Sequence, residues 1–189
     1  MMSTLAFYSI SLFILIVASI VILRIFVRRD YMQRGCLSAI TAVLQACLFF
    51  LYGGYPAVYL PPDWPVSHVC FPIQAFGWIC ITLGLAVLLI GMSRLGILQS
   101  LGLRVKVMKR SDFYSYSRNP QVIGCAIYVF GFVILWPSVL ALGWAAALII
   151  ILHIMVLTEE EHLLKTFNED YERYCNRIPR YIGFPGKSG

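Results

Sequence analysis

The sequence predicts an all-α integral membrane protein of five transmembrane helices, the last two a tight hairpin followed by a cytoplasmic, amphipathic carboxyl-terminal segment. Three observations carry that expectation. Of 189 residues, 60% are hydrophobic and only 13% charged, against about 45–50% and about 25% in an ordinary soluble domain, so water is not the main solvent. Several apolar runs approach or exceed the roughly 20 residues that a helix needs to cross about 30 Å of hydrocarbon. All fifteen lysines and arginines lie at or beyond one side of those runs. By the positive-inside rule the amino end is then outside and the carboxyl end cytoplasmic.

The first span, about 4–27, ends in Arg24, Arg28 and Arg29, whose long side chains can snorkel to the headgroups. It reads as a retained helix and not a cleaved signal, because it lacks a basic n-region and its apolar part is long. The second span, about 36–52, is expected to break at Gly53, Gly54 and Pro56 before a Tyr/Trp/Pro-rich loop, 55–65, of the kind that sits at a membrane interface. In the third, about 70–92, Gly77, Gly84 and Gly91 are seven residues apart and share one helix face, which can pack closely on a neighbour. The fourth, about 120–136, and fifth, about 138–157, are separated by little more than Trp136-Pro137 and must form an antiparallel hairpin. Asp63 and His68 are the only acidic, basic or histidine residues of the loop between spans two and three, and the turn between four and five carries none. The whole chain, 1–189, reads as a single membrane domain without internal repeats.

The net charge of +6 would suggest nucleic acid for a soluble chain, but here the charges sort by side of the membrane, and no nucleic-acid partner is expected. The six cysteines are scattered singly, which indicates neither a metal site nor a disulfide framework.

Polar residues concentrate in 109–121 and 158–180, which the hairpin brings together at the cytoplasmic surface, so 109–184 is the catalytic-like region. In the first segment, Ser117-Arg118-Asn119-Pro120 reads as a helix start with Asn119 as N-cap and Pro120 at the first helical position. Free N–H groups there, beside Arg118, can make an anion site. In the second, Glu159, Glu160 and Glu161 follow the apolar helix directly, the end at which the macrodipole disfavours acids, which suggests positive partners. His153 lies inside the fifth span, seven residues before Glu160 and on nearly the same face. An intramembrane ionisable residue is a functional candidate.

Together these residues resemble a known family, the isoprenylcysteine carboxyl methyltransferases and their phospholipid N-methyltransferase relatives. The family pattern G-x-Y-x-x-x-R-H-P-x-Y is approached by Asp112 to Val122, through Tyr114, Arg118 and Pro120. The pattern E-E-x-x-L-x-x-x-F-G-x-x-Y-x-x-Y, closed by an apolar residue and Pro-Arg, is matched by Glu159, Glu160, Leu163, Phe167, Tyr171, Tyr174, Ile178, Pro179 and Arg180. Departures are Asp112 for Gly, Asn119 for His, Val122 for Tyr and Asn168 for Gly.

The resemblance implies a membrane methyltransferase that uses S-adenosylmethionine. It implies Tyr114, Arg118, Asn119, Pro120, Gly124, Glu159, Glu160 and Tyr171 at the cofactor, and Val122, Tyr174 and Arg180 at the acceptor. Arg118, Glu160 and His153 are expected to carry the catalysis. Arg118 and the helix start would hold the cofactor carboxylate, and Glu159 and Glu160 its cationic groups. The apolar walls expected beneath, Ile123, Ile127, Phe130, Leu148, Ile151 and Met155, ask for an amphiphilic acceptor, a membrane lipid or a prenylated substrate. Within that class the sequence favours a prenylated thiol or carboxylate over a phospholipid amine, because the obvious general base, His153, is expected to lie deep in the span. Two other classes share features: the membrane steroid and sterol reductases, with a similar Arg-x-Pro and hairpin but a nicotinamide cofactor, and a non-catalytic membrane scaffold.

Overall fold

The computed structural model describes residues 2–58, 60, 69–96, 99, 102–103 and 112–183. Asp63, His68, Lys106, Lys109, Phe184 and Lys187 lie outside the described residues. Within them the secondary structure is wholly helical. Helix α1, Met2–Val21, runs through a π-helical segment, Ile22–Val27, into α2, Arg28–Arg34. The helical run outlasts the expected span because it stops only at Gly35, whose φ of 71° is the left-handed conformation that glycine adopts at a helix C-terminus.

Helix α3, Ala39–Gly54, begins three residues later than expected from hydropathy. Its start is set by Ser38, whose hydroxyl accepts from the Thr41 N–H at 3.3 Å. The buried Asp30 carboxylate fixes that cap in turn, accepting from the Ser38 N–H at 2.9 Å and the Ser38 hydroxyl at 2.6 Å. Gly53 and Gly54 do not break the helix. They remain helical, and the chain tightens into a 3-10 turn at Tyr55–Val58 only where Pro56 follows.

Helix α4 is Phe71–Leu95, α5 Pro120–Leu135 and α6 Val139–Arg177. Four helical runs are long and apolar enough to cross a membrane: Leu5–Arg34, Ala39–Ala57, Phe71–Leu95 and Val139–Arg177. Helix α5 has 16 residues, about 24 Å of rise, and falls short of that measure. The chain turns between α5 and α6 within Trp136 to Ser138, and the Ser138 hydroxyl caps α6 by accepting from the Ala141 N–H at 3.0 Å.

The fifth span was expected to end at Leu157, whereas α6 continues to Arg177. Its 39 residues rise roughly 58 Å, nearly twice the hydrocarbon thickness. Hydropathy reads where the lipid ends, not where the helix ends. The helix is interrupted at Asn168, with φ 43° and ψ −122°. Glycine takes a positive φ without strain and asparagine tolerates it better than most residues, which accounts for asparagine at a position where the resembled pattern carries glycine.

The glycine face of α4 packs on α5. A Cβ added at Gly77 would meet the Leu135 side chain at 2.6 Å, one at Gly84 the Gly124 carbonyl oxygen at 2.7 Å, and one at Gly91 the Gln121 N at 3.3 Å. Rising numbers on α4 meet falling numbers on α5, so the two run antiparallel along the full length of α5. Gly131 completes the seam, 2.7 Å from a Cβ position to the Gly77 carbonyl oxygen. Small residues let backbones approach where no hydrophobic drive separates helix from lipid.

On the other side, α6 packs against α1, α3 and α5. Toward one end Tyr52 and Trp144 stack with ring centroids 5.2 Å apart and exchange hydrogen bonds, the Tyr52 hydroxyl donating to the Trp144 carbonyl at 3.0 Å and the Trp144 indole to the Tyr52 carbonyl at 3.1 Å. At the charged end, Arg24 and Arg28, expected to snorkel to headgroups, turn instead to Glu161 of α6, at 2.7 and 2.6 Å. There Tyr31 stacks on the buried His162, centroids 4.6 Å apart.

Candidate active site

The site is built where the chain leaving α6 folds back on the start of α5. The Arg118 N–H donates to the Pro179 carbonyl at 3.0 Å, and the Asn119 side-chain amide donates to the Arg180 carbonyl at 3.1 Å. Asn119 was expected to cap α5 with its side chain. It sits at the N-cap position, but that side chain is turned to the returning segment, and the Asn119 N–H is satisfied by the Ser117 hydroxyl at 3.1 Å. Pro120 opens the helix as expected. Tyr114 is buried, its hydroxyl donating to the Gly91 carbonyl at 3.1 Å, while the Tyr174 hydroxyl donates to the Tyr114 carbonyl at 3.0 Å. These two tyrosines tie the segment before α5 to α4 and α6.

Glu160 is the centre of the arrangement. Arg180 grips it with two nitrogens, Nε at 3.0 Å and a terminal nitrogen at 2.7 Å from Oε2, and Arg118 pairs with Oε1 at 3.0 Å. Both Arg118 and Glu160 are nearly buried, with side chains 11% and 13% exposed. Arg118 also donates to the Cys175 thiol at 2.6 Å, and its Nε is buried without a hydrogen-bond partner among the described residues. The two residues expected to serve opposite ends of a cofactor thus pair with each other. Beside them opens a cavity of about 570 Å³ whose lining includes Arg118, Glu160, Tyr171, Cys175 and Arg180.

The three consecutive glutamates do not stand at a helix end, as α6 runs on past them, so the macrodipole argument does not apply to them. About 100° of rotation per residue aims each at a different neighbour. Glu161 meets Arg24 of the π-helical segment and Arg28 of α2, and Glu160 meets Arg118 and Arg180. Glu159 is half-buried with no hydrogen bond or ion pair among the described residues. Lying beyond the apolar run of α6, its carboxyl is raised to about 7, chiefly by burial and further by the charge of Glu160.

A second cavity, about 440 Å³, lies between α5 and α6, lined by Val122, Ile123, Ile127, Phe130 and Leu148, with His153, Tyr181 and Ile182 at one edge. Four of the six apolar wall residues expected from the sequence line it. Ile151 is fully buried in the core instead, and Met155 packs against that core. His153 is exposed, its Nδ1 3.0 Å from the Tyr181 hydroxyl. Glu160 and His153 meet the adjacent residues Arg180 and Tyr181, as their shared helix face implies. Gly124, expected at the cofactor, faces the α4 seam, where a Cβ would lie 2.8 Å from the Gly84 carbonyl oxygen. Cys175 and Tyr181 escaped the sequence reading. Nothing local marks them, since their partners lie 57 and 28 residues away.

Residues 73–170, just over half of the chain, match the phospholipid methyltransferase family. The chain belongs to that family. The match runs from the first turn of α4 to just beyond Asn168, taking in the glycine seam, Arg118, His153 and the three glutamates. No curated protein and no solved structure matches the chain. Membership implies a membrane methyltransferase acting on a lipid-type acceptor, and members generally use S-adenosylmethionine.

Proposed function

We propose that this protein transfers a methyl group from S-adenosylmethionine to the amine headgroup of a membrane phospholipid. Its site faces the cytoplasm, and α5 serves as a fifth crossing alongside α4. The observation that carries this reading is the stacking of a polar cavity on an apolar one. In each of three places the lining passes from one cavity to the other within about one helical turn: from Arg118, just before α5, to Val122 within it, from Leu157 to His153 on α6, and from Arg180 to Tyr181 in the returning segment.

The polar cavity fits the cofactor. Arg118, whose buried Nε has no hydrogen-bond partner among the described residues, suits its carboxylate, and Glu160, with Glu159 one residue before it on α6, suits its cationic groups. When bound, the cofactor supplies an electrophilic methyl whose sulfonium becomes a neutral thioether. The protein's residues then hold the acceptor in line and exclude water, the main work such a transfer asks for. An amine must also lose its proton, and His153, at the edge of the apolar cavity, is the side chain placed to accept it. We prefer the amine to the prenylated acceptor that the sequence favours, because His153, expected deep in the span, is exposed beside Tyr181 of the returning segment. A prenylated carboxylate or thiol stays as the second reading, because the apolar cavity suits any long tail and an anionic acceptor needs no base.

The test is methyl transfer by the purified protein to phosphatidylethanolamine, to a prenylcysteine analogue and to a short soluble thiol. Turnover of the lipid amine supports the proposal, turnover of the prenylcysteine alone selects the second reading, and turnover of the soluble thiol alone sinks both. Glu160→Gln leaves two guanidiniums without their anion and is expected to weaken S-adenosylmethionine binding about a hundredfold in protein that still purifies folded. Unchanged affinity would remove Glu160 from the cofactor site.

A further inference from the structure

We infer that Tyr181 positions the acceptor headgroup at the junction of the two cavities, an assignment that rests on the methyl-transfer reading above. The apolar cavity is almost without polar lining, and the side chains that supply polarity at its edge are His153 and Tyr181, joined by a 3.0 Å hydrogen bond. Tyr181 is half-buried and follows directly on Arg180, which grips Glu160 in the polar cavity. Its phenol therefore stands where the returning segment passes from one space to the other, Arg180 lining the polar cavity and Tyr181 the apolar one.

The occupant this geometry selects is an amphiphile with an acyl chain and a small polar head. The chain lies against Val122, Ile127 and Phe130, and the head meets the Tyr181 hydroxyl before it reaches the reacting methyl. A hydroxyl both donates and accepts, so it can hold an amine that His153 is to deprotonate. A wholly apolar residue at 181 would close the same wall without orienting the head. The backbone of the segment is anchored independently, by the Arg118 N–H on Pro179 and by the Asn119 amide on Arg180. Removing the phenol oxygen alone should therefore leave the polar cavity intact.

The experiment compares wild type with Tyr181→Phe, which keeps the ring, in two measurements. The first reads the KM for phosphatidylethanolamine and the Kd for S-adenosylmethionine. The expected result is a KM raised about tenfold, the loss of one hydrogen bond, with Kd changed less than about twofold. A parallel rise in both would make Tyr181 a support for the segment, and an unchanged KM would remove it from the acceptor path. The second does not depend on turnover: a phosphatidylethanolamine with a photoactivatable group in its acyl chain is crosslinked and the labelled residues mapped. Labelling around Ile127 and Phe130 that falls in Tyr181→Phe supports the assignment. Labelling confined to the outer surface of α4, or equal in both proteins, overturns it. Wild type that binds cofactor and shows the phenol-dependent labelling but transfers no methyl would defeat the methyl-transfer reading and leave the lipid site standing.

Discussion

Helix α5 has two faces of opposite design. Toward α4 it offers Gly124 and Gly131 to Gly77 and Gly84, and backbone meets backbone with no room for a methyl group. Toward α6 it offers Val122, Ile123, Ile127 and Phe130 across a gap that holds a cavity of about 440 Å³. The same helix is thus locked on one side and open on the other. A seam of glycines fixes the position of α5 so that the opposite face can remain unfilled and still keep its shape. This matters in a bilayer, where apolar contact with a neighbouring helix gains little over contact with lipid, and close packing supplies the difference.

The largest effect should come from filling the locked side. In Gly84→Ala the new Cβ would lie 2.7 Å from the Gly124 carbonyl and nearer still to the Tyr128 N, with backbone on both sides and nothing flexible to move. A loss of about 1–3 kcal/mol or more is expected, seen as a lower midpoint of thermal unfolding in detergent. Gly91→Ala places its Cβ 3.3 Å from Gln121 and should cost distinctly less. Equal losses at the two positions would mean that the seam is not graded as its geometry indicates.

A smaller effect belongs to pH, through the carboxyl group one residue before Glu160. Glu159 is protonated more readily in the folded protein, at about 7 against an ordinary value of 4.5. Its burial therefore favours the fold fully below about pH 4.5, and that contribution is lost as pH rises toward 7. Affinity for a cationic ligand should run the other way, rising as the carboxylate forms. Binding of S-adenosylmethionine measured from pH 5.5 to 8 is expected to strengthen across about pH 7 in wild type and to flatten in Glu159→Gln. A wild-type profile as flat as the variant's would exclude Glu159 from the cation site.

The smallest effect is expected where α1 and α2 are tethered to α6. Arg28 and Glu161 are 49% and 34% exposed, and a pair so well solvated contributes no more than about 1 kcal/mol. Arg28→Gln should shift thermal unfolding by at most a few degrees and leave cofactor affinity unchanged. A loss of affinity would show that this tether reaches the site through the glutamate run.

What the sequence disclosed follows the range of the interactions. The helices were legible because hydropathy is local, and the packing face of α4 because seven-residue spacing is local too. Gly124 and Gly131, also seven apart, carried the matching signal for its partner, although Gly124 was assigned to the cofactor. The pairing of Arg118 with Glu160 was half-legible: the motifs brought both to one place, but nothing local said that Arg180 and Cys175 would join them. The motif named Pro179 and Arg180, with Arg180 expected at the acceptor, but their fold-back onto Arg118 and Glu160 and the place of Tyr181 stayed hidden, because these contacts are made through the fold and not through any spacing. The separate duties of Glu159, Glu160 and Glu161 depend on which neighbour stands at each angle around α6.

The π-helical segment of the first helical run has a consequence for phase. Tyr8, Leu15, Ser19, Leu23, Val27 and Tyr31 are all buried, and from Leu15 onward they recur every four residues. In a regular α-helix each such step drifts roughly 40° around the axis, and four of them would carry the inward stripe nearly to the opposite side. The wider turn at Ile22–Val27 takes up that drift midway. One straight seam therefore runs from Tyr8, which donates to the Leu140 carbonyl near the start of α6, to Tyr31, stacked on His162 just past the glutamates.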